Sequence, residues 1–429
     1  MRRKSILAYR RLACLTLALL AFSWPNLAQS TAAIEAEHGE QQRESLELDP
    51  FRSDHLSGLE STAARLHGAS NLTRFLSQWR DLLTESNAAS GPLHILHFGG
   101  SHVQAGRIGW AFRARLAADR PGLRVSRGIL PPHRLVGENG PPETGWSCAS
   151  EWTGQRSAHR RHRGDWGLSG LEASADSSSP LQLWSTHPFG NDCYSSLVVL
   201  TRPNMEGGWT LANDGLPLTP RQNGLHEVKL TNRDLPDTLS LMPPTGKAYL
   251  HGVLRLHNAP GLIYHDLGGN GASTAAWLRH PHFVLQLQEL KPTLAILAWG
   301  INDAHMSPDR FKPVRFKQRY GALIDSLRAA SPGTDILLVT NNDSHYRQRH
   351  NPNAEAVRSA MLELVEEKKV ACWDLYGSLG GARSIDWLYD QGYAASDRLH
   401  FNRNGYALIG DMLYDALIQA AFELRPPEP

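Results

Sequence analysis

Between residues 293 and 424 the sequence changes period again and again, short apolar runs of strand length alternating with 3.6-residue apolar stripes. Residues 293–299, 335–340 and 370–374 read as strands; residues 313–330, 354–369 and 403–424 read as helices. Strands and helices alternating through connections this short imply a parallel sheet covered by helices on both faces, since parallel neighbours need a crossover and the crossover packs back on the sheet. The apolar run 93–98 adds a strand to the same sheet. It starts after Gly91-Pro92, leaves through the tight turn Gly99-Gly100-Ser101, and leads to a helix over residues 106–118. Upstream, a helix beginning at Asn71 buries Leu72, Phe75, Leu76, Trp79, Leu82 and Leu83 on one stripe.

From about residue 125 to 262 the pattern is different. Gly, Pro, Ser and Asn become frequent, and short runs at 196–200, 209–212, 226–230 and 249–256 are spaced by turn signals, as in an all-β sandwich. Trp146, Trp152, Trp166, Trp184 and Trp209 all fall in this segment. One or two of them are expected to be exposed, as sugar-stacking platforms are, and the rest to fill the core. The fold class is therefore α/β, a three-layer α/β/α parallel-sheet domain with an inserted all-β sandwich. Its expected organisation is 63–124 for the first part of the α/β domain, 125–262 for the insert and 263–429 for the second part.

Residues 1–30 read as an export signal. Arg2, Arg3, Lys4, Arg10 and Arg11 precede an apolar run from Leu12 to Trp24, and Ala28-Gln29-Ser30 supplies small residues for cleavage after Ser30. A retained N-terminal anchor is the alternative. Residues 31–62 are polar and aperiodic, a linker. The expectation is a periplasmic or secreted protein with no stable membrane anchor after cleavage. Lys+Arg 44 against Asp+Glu 42 leaves a formal charge of +2 in 429 residues, too little to point to a nucleic-acid partner. With 4 Cys the chain is neither a disulfide scaffold nor a cysteine-based zinc module. Cys148 and Cys193 could form a disulfide or stay as separate thiols.

In an open parallel sheet, functional groups collect on the loops at the carboxyl ends of the strands. Four such loops carry marked residues: Phe98-Gly99-Gly100-Ser101-His102, Gly268-Gly269-Asn270-Gly271-Ala272, Trp299-Gly300-Ile301-Asn302-Asp303, and Asp397-Arg398-Leu399-His400. A serine hydroxyl needs a base to act as a nucleophile, and His400 is the candidate. Asp397, three residues earlier, can accept the second imidazole N–H and hold the ring in the useful tautomer. The backbone N–H of Ser101, a glycine N–H in the second loop and the Asn302 amide are the candidate oxyanion donors.

These four blocks resemble the SGNH (GDSL-type) hydrolases, whose name records a Ser, Gly, Asn and His from four blocks in this order. Ser101, Gly271, Asn302 and His400 match, with Gly269 a second candidate for the glycine, and Asp397-x-x-His400 is similar to that family's compact acid–base pair. The resemblance implies catalytic Ser101, Asp397 and His400, an oxyanion hole of Ser101, Gly271 and Asn302, no metal and no cofactor. One departure is that the usual Gly-Asp-Ser is here Gly99-Gly100-Ser101, which removes a turn-stabilising acceptor. Replacing Gly100 by Asp is then expected to keep or raise turnover, unless Gly100 sits at positive φ. Phe98–Gln104, Leu130-Pro131-Pro132-His133-Arg134-Leu135 and Gly269-Asn-Gly-Ala, with a sandwich between the first and second blocks, are similar to bacterial peptidoglycan O-acetylesterases, whose insert resembles a carbohydrate-binding module.

The resemblance implies an exported serine esterase acting on O-acetyl groups of a polysaccharide, with peptidoglycan as the leading substrate. An esterase for another acylated glycan or a lipid, and a non-catalytic wall-binding protein, are the alternatives. Asp303 reads as structural, His94 and His97 as core or rim residues, and His102 as either a substrate contact or a packed loop histidine. Asn341-Asn342-Asp343-Ser344-His345 invites a metal reading, but no H-E-x-x-H or C-x-x-C pattern accompanies it. The basic run His159–Arg163 reads as a solvated loop or as a contact for an anionic glycan.

Overall fold

The computed structural model describes residues 66–84, 91–176, 179–186, 194–205, 207–230 and 238–423. The signal and linker expectations, and Cys193, lie outside these residues. A seven-stranded sheet organises the fold: β1 (Leu66–His67), β2 (Pro92–Gly99), β3 (Arg124–Arg127), β4 (Gly261–Gly268), β5 (Leu294–Ala298), β6 (Asp335–Val339) and β7 (Ala371–Trp373), in the order β1-β7-β6-β5-β2-β4-β3. All its pairings are parallel except the short edge pair of β1 with β7.

Each central strand is apolar on both faces, as a sheet covered on both sides requires. Ile95, Ile296 and Leu337 face one core with α1 (Thr73–Thr84), α3 (Arg107–Asp119) and α8 (Arg403–Glu423), through Trp79, Phe112 and Tyr414. Their neighbours Leu96, Leu297 and Leu338 face a second core with α6 (Pro313–Ala330) and α7 (Asn353–Lys368), through Tyr320, Ile324 and Met361. The period-2 alternation along the strands thus sorts adjacent residues into two helix layers.

The segment between β3 and β4 forms two five-stranded sheets and one three-stranded sheet. In the sheet built from residues 129–130, 196–200, 219–221, 225–229 and 252–256, the central strands are buried on both sides, while the edge strand 219–221 is exposed. Leu197, Val199 and Val253 enter the insert's own core, whereas Val198, Leu200 and Leu254 join the second core of the α/β domain. The continuous apolar run of residues 196–200 is explained by this shared position. From α4 (Phe283–Leu290), Gln286 crosses the same boundary, accepting from Leu168 N–H at 2.8 Å and reaching the Thr201 carbonyl at 3.1 Å.

Three expectations need correction. Residues 125–127, placed at the start of the insert, belong to β3 of the main sheet, and β4 begins at Gly261, inside the expected insert. β3 is short and charged enough to hide from an apolar-run search. The expected strand 249–256 is two strands in different sheets, Lys247–Leu250 and Gly252–Leu256, broken at His251. None of the five insert tryptophans is exposed: Trp146, Trp166 and Trp209 are buried and Trp152 and Trp184 half-buried. Cys148 is a free thiol with its Sγ 3.0 Å from the Ser150 carbonyl.

Charged and imidazole groups are buried where the insert meets the sheet. Arg127 pairs with Glu143 and, at 3.0 Å, with Asp266, while Arg113 reaches Glu143 at 3.3 Å. His265 Nδ1 accepts from Ile129 N–H at 3.2 Å, so its proton sits on Nε2 and is donated to His94 Nδ1 at 3.1 Å. His97 pairs with the Tyr264 hydroxyl at 2.8 Å. Burial pushes His97 and His280 down to about 3 and His265 well below its usual value. These rings stay neutral in the fold and gain protons only on unfolding, so between pH 6.5 and roughly the folded values the unfolded chain binds more protons.

Stability should therefore fall as pH drops below about 6.5, by up to ~1.4 kcal/mol per pH unit for each ring, offset in part by Asp266, whose carboxyl burial raises to about 6. Thermal unfolding midpoints between pH 7.5 and 4.5 measure this; a midpoint flat down to the carboxylate range contradicts it.

Candidate active site

The register of three strands assembles the site. Gly99, the last residue of β2, lies opposite Gly268 on β4 and Ala298 on β5, so the turns that follow emerge side by side at one sheet edge. Ser101 opens α2 (Ser101–Gln104), where the first N–H groups of a helix have no partner within it. The third turn runs into α5 (Ile301–Ala304), which carries Asn302. The Asp397–His400 turn precedes α8 and is fastened to the carboxyl end of β6. Asn342 Nδ2 donates to the Leu399 carbonyl at 3.2 Å, and His345 N–H to the Arg398 carbonyl at 2.8 Å. The Asn341–His345 run that invited a metal reading thus supports the acid–base turn.

Ser101 Oγ is 2.8 Å from His400 Nε2, and His400 Nδ1 is 2.7 Å from Asp397 Oδ2. Asp397 Oδ1 accepts from the Leu399 and His400 N–H groups, both at 3.0 Å. Burial alone would raise the Asp397 carboxyl, but the His400 ring and these two N–H groups hold it below its usual value. With Asp397 charged, the His400 tautomer is set: Nδ1 carries the proton and Nε2 is left to accept from Ser101. The pair is open to solvent, His400 being 34% and Asp397 50% exposed.

Asn302 Nδ2 donates one hydrogen to the Ala272 carbonyl at 2.9 Å, which fixes the amide and leaves its second hydrogen for a ligand. Gly269 N–H points to the Gly99 carbonyl at 3.3 Å, whereas Gly271, at φ +74°, has open space around its Cα. This distinguishes the two glycine candidates and favours Gly271 as a donor. Asp303 is buried and accepts from Thr274 Oγ1 at 2.7 Å and Thr274 N–H at 3.1 Å, tying the second turn to the third. Burial raises its carboxyl, partly offset by those two bonds.

His102 bonds the Tyr406 hydroxyl at 2.9 Å and lies with its ring 5.2 Å from that of His400. Burial, and then the nearby His400, lower it to about 3. It is a packed neutral ring behind the base rather than a ligand group. Gln104 and the 130–135 motif have a joint structural role. Gln104 Nε2 donates to the Asn139 carbonyl at 2.6 Å and to Glu138 at 3.3 Å, and His133 pairs with the same Glu138 at 3.4 Å. The insert's entry segment thereby braces the helix that carries Ser101. These partners went unread because the sequence places them 34 to 304 residues from what they support. Among the described residues no group of three or more His, Cys, Asp or Glu is placed to hold a metal ion.

Gly100 departs from both expectations. Its φ is −92°, so a side chain would not be strained by the backbone, but a Cβ there would lie 2.5 Å from Asn302 Nδ2. The Gly100→Asp expectation is thus reversed: the substitution displaces the Asn302 amide. Gly100→Ala is expected to lower kcat by on the order of 10-fold or more, yet to cost little when added to Asn302→Ala, because both remove the same donor. Steady-state kinetics of the two single variants and the double variant test this, and independent losses would contradict it.

Residues 243–408 match the model of the GDSL-like lipase/acylhydrolase family. That span holds Gly271, Asn302, Asp397 and His400, while Ser101 lies before the insert. Among solved structures, a peptidoglycan O-acetylesterase matches with a TM-score of 0.71 at 20% identity, over 84% of this chain and 99% of that one. The lipase/acylhydrolase from Enterococcus faecalis aligns with 40% of this chain and 81% of its own at 20% identity and a TM-score of 0.30. An acetyl xylan esterase, AlAXEase, aligns with 37% of this chain and 81% of its own at 19% identity and a TM-score of 0.29. No curated protein sequence matches the chain. The chain has the SGNH (GDSL-type) hydrolase fold, with extra β-sheets that fit an inserted domain.

Proposed function

We propose that this SGNH-type fold is an exported serine esterase that removes O-acetyl groups from a polysaccharide, peptidoglycan being the substrate best supported. The observation that carries the chemistry is the unbroken relay from Ser101 through His400 to Asp397. The substrate rests on the near full-length likeness to a peptidoglycan O-acetylesterase, which extends through the insert. Export rests on the basic and apolar pattern of residues 1–30.

The steps follow from the geometry. Ser101 Oγ attacks the acetyl carbonyl carbon as its proton passes to His400 Nε2, and the carbonyl electron pair moves onto oxygen. The Ser101 and Gly271 N–H groups and the second Asn302 hydrogen receive that oxyanion. Asp397 stabilises the imidazolium without taking its proton. Collapse expels the sugar oxygen, which takes the proton from His400, and leaves acetyl-Ser101. Water then repeats the sequence, giving up a proton to His400, and acetate leaves as Ser101 is reprotonated. No step here calls on a cofactor, and chelators are expected to leave turnover unchanged.

Ser101→Ala and His400→Ala should each lower esterase turnover on p-nitrophenyl acetate by on the order of 10³-fold or more, and the double variant should lose little beyond either. Asn302→Ala should cost ~10²–10³-fold in kcat with a small change in KM, as expected of a donor used in the transition state. Losses that multiply in the Ser101/His400 double variant would show that the two do not act as a unit. Acetate release from O-acetylated peptidoglycan, compared with acetylated xylan, tests the substrate; preference for xylan would overturn it.

A further inference from the structure

The basic run His159–Arg163 has no part in the chemistry above, yet it does not wave in solvent. Arg279, on the α/β side, donates to the Ser157 carbonyl at 2.9 Å and the His162 carbonyl at 2.6 Å, and lies over the Trp166 ring at 4.7 Å. Those acceptors are neutral, so the clamp fixes the loop without cancelling its charge. The loop then borders a cavity of about 320 Å³ whose lining includes Arg160, Arg279 and Arg319 together with Gly271 and Asn302. Two of the three candidate oxyanion donors therefore line a basic recess.

The charge there is only partly offset, by the nearby Asp303, which interacts electrostatically with Arg319. Asp303 is the one acidic residue lining the recess, and both its oxygens are engaged by Thr274. Among the described residues none of the three guanidinium groups is in an ion pair, although the chain pairs many of its other arginines, Arg127, Arg202 and Arg358 among them. Guanidinium groups left unpaired around a concave surface favour a planar anion, which each can bind through two parallel N–H bonds. The side facing Asn302 places such an anion beside the acyl centre, on the same substrate molecule.

We propose that Arg160 and Arg319, with Arg279 holding the loop, form a subsite for a carboxylate carried by the glycan whose ester is cleaved. The proposal rests on the esterase reading above and deepens it: the substrate is an acidic glycan, and the insert contributes to its recognition through a charged loop rather than an exposed tryptophan. This also accounts for an insert braced against the nucleophile helix, because the loop and the serine must keep a fixed spacing to engage one molecule.

Titration calorimetry tests the subsite without requiring turnover. The probes are the deacetylated peptidoglycan disaccharide with its lactyl carboxylate free, and the same disaccharide with that carboxylate amidated. The full chain should bind the acid roughly 10-fold more tightly than the amide, and added salt should shrink the difference. Arg160→Gln and Arg319→Gln should each remove much of that preference, and the double variant nearly all of it, with thermal unfolding reporting that the fold is kept. Equal affinity for acid and amide, binding of neither, or a preference that survives in the double variant would overturn the subsite. Wild-type turnover of p-nitrophenyl acetate is measured alongside; its absence would sink the esterase reading while the acid–amide comparison still decides the subsite.

Discussion

The parallel pairing of β2 between β4 and β5 is the constraint on which the site depends. Gly99 is held level with Gly268 and Ala298, and Ser101, Gly271 and Asn302 follow within four residues of those positions. A strand rises about 3.3 Å per residue, so a two-residue slip of either neighbour would carry its turn nearly 7 Å from the serine. The buried alternation of Ile95 with Leu96 and Ile296 with Leu297 prevents a one-residue slip, which would exchange the two faces. Short bonds then adjust what register has placed: Asp303 to Thr274, and Asn302 to the Ala272 carbonyl.

The insert is part of the same mechanical unit. One of its sheets supplies residues to two cores at once, and Gln104 links its entry segment to the helix of Ser101. Arg279 also ties its basic loop to the rim of the site. An insert that merely tethered the enzyme to a polymer would need no such anchoring. Here Ser101, Asn302 and the basic loop are each held by packed and bonded groups of the α/β domain and the insert.

Much of this was legible in the sequence because the signals are local. The helix at residues 313–330 and the strand at 196–200 match the expected bounds, since each is a single uninterrupted apolar pattern. That the loops carrying Ser101, Asn302, Asp397 and His400 come together was readable from where they fall in the strand–helix order. What escaped has nonlocal causes. β3 has the sequence Arg-Val-Ser-Arg, polar because Arg127 is buried against Glu143 and Asp266 rather than exposed. The collision that a side chain at Gly100 would make involves Asn302, 202 residues away in sequence and unseen by any local rule. The insert tryptophans misled for a similar reason: an aromatic ring that packs in a core and one that stacks on a sugar look alike in one dimension.

The central claim is that Ser101 forms a covalent acyl intermediate with His400 as its base, and trapping tests it most directly. Intact-mass and peptide analysis after treatment with a serine-reactive fluorophosphonate should show one adduct, on the peptide containing Ser101. Ser101→Ala should show none, and His400→Ala should label far more slowly although its serine is present. Labelling at another residue, or a rate that does not depend on His400, would contradict the account.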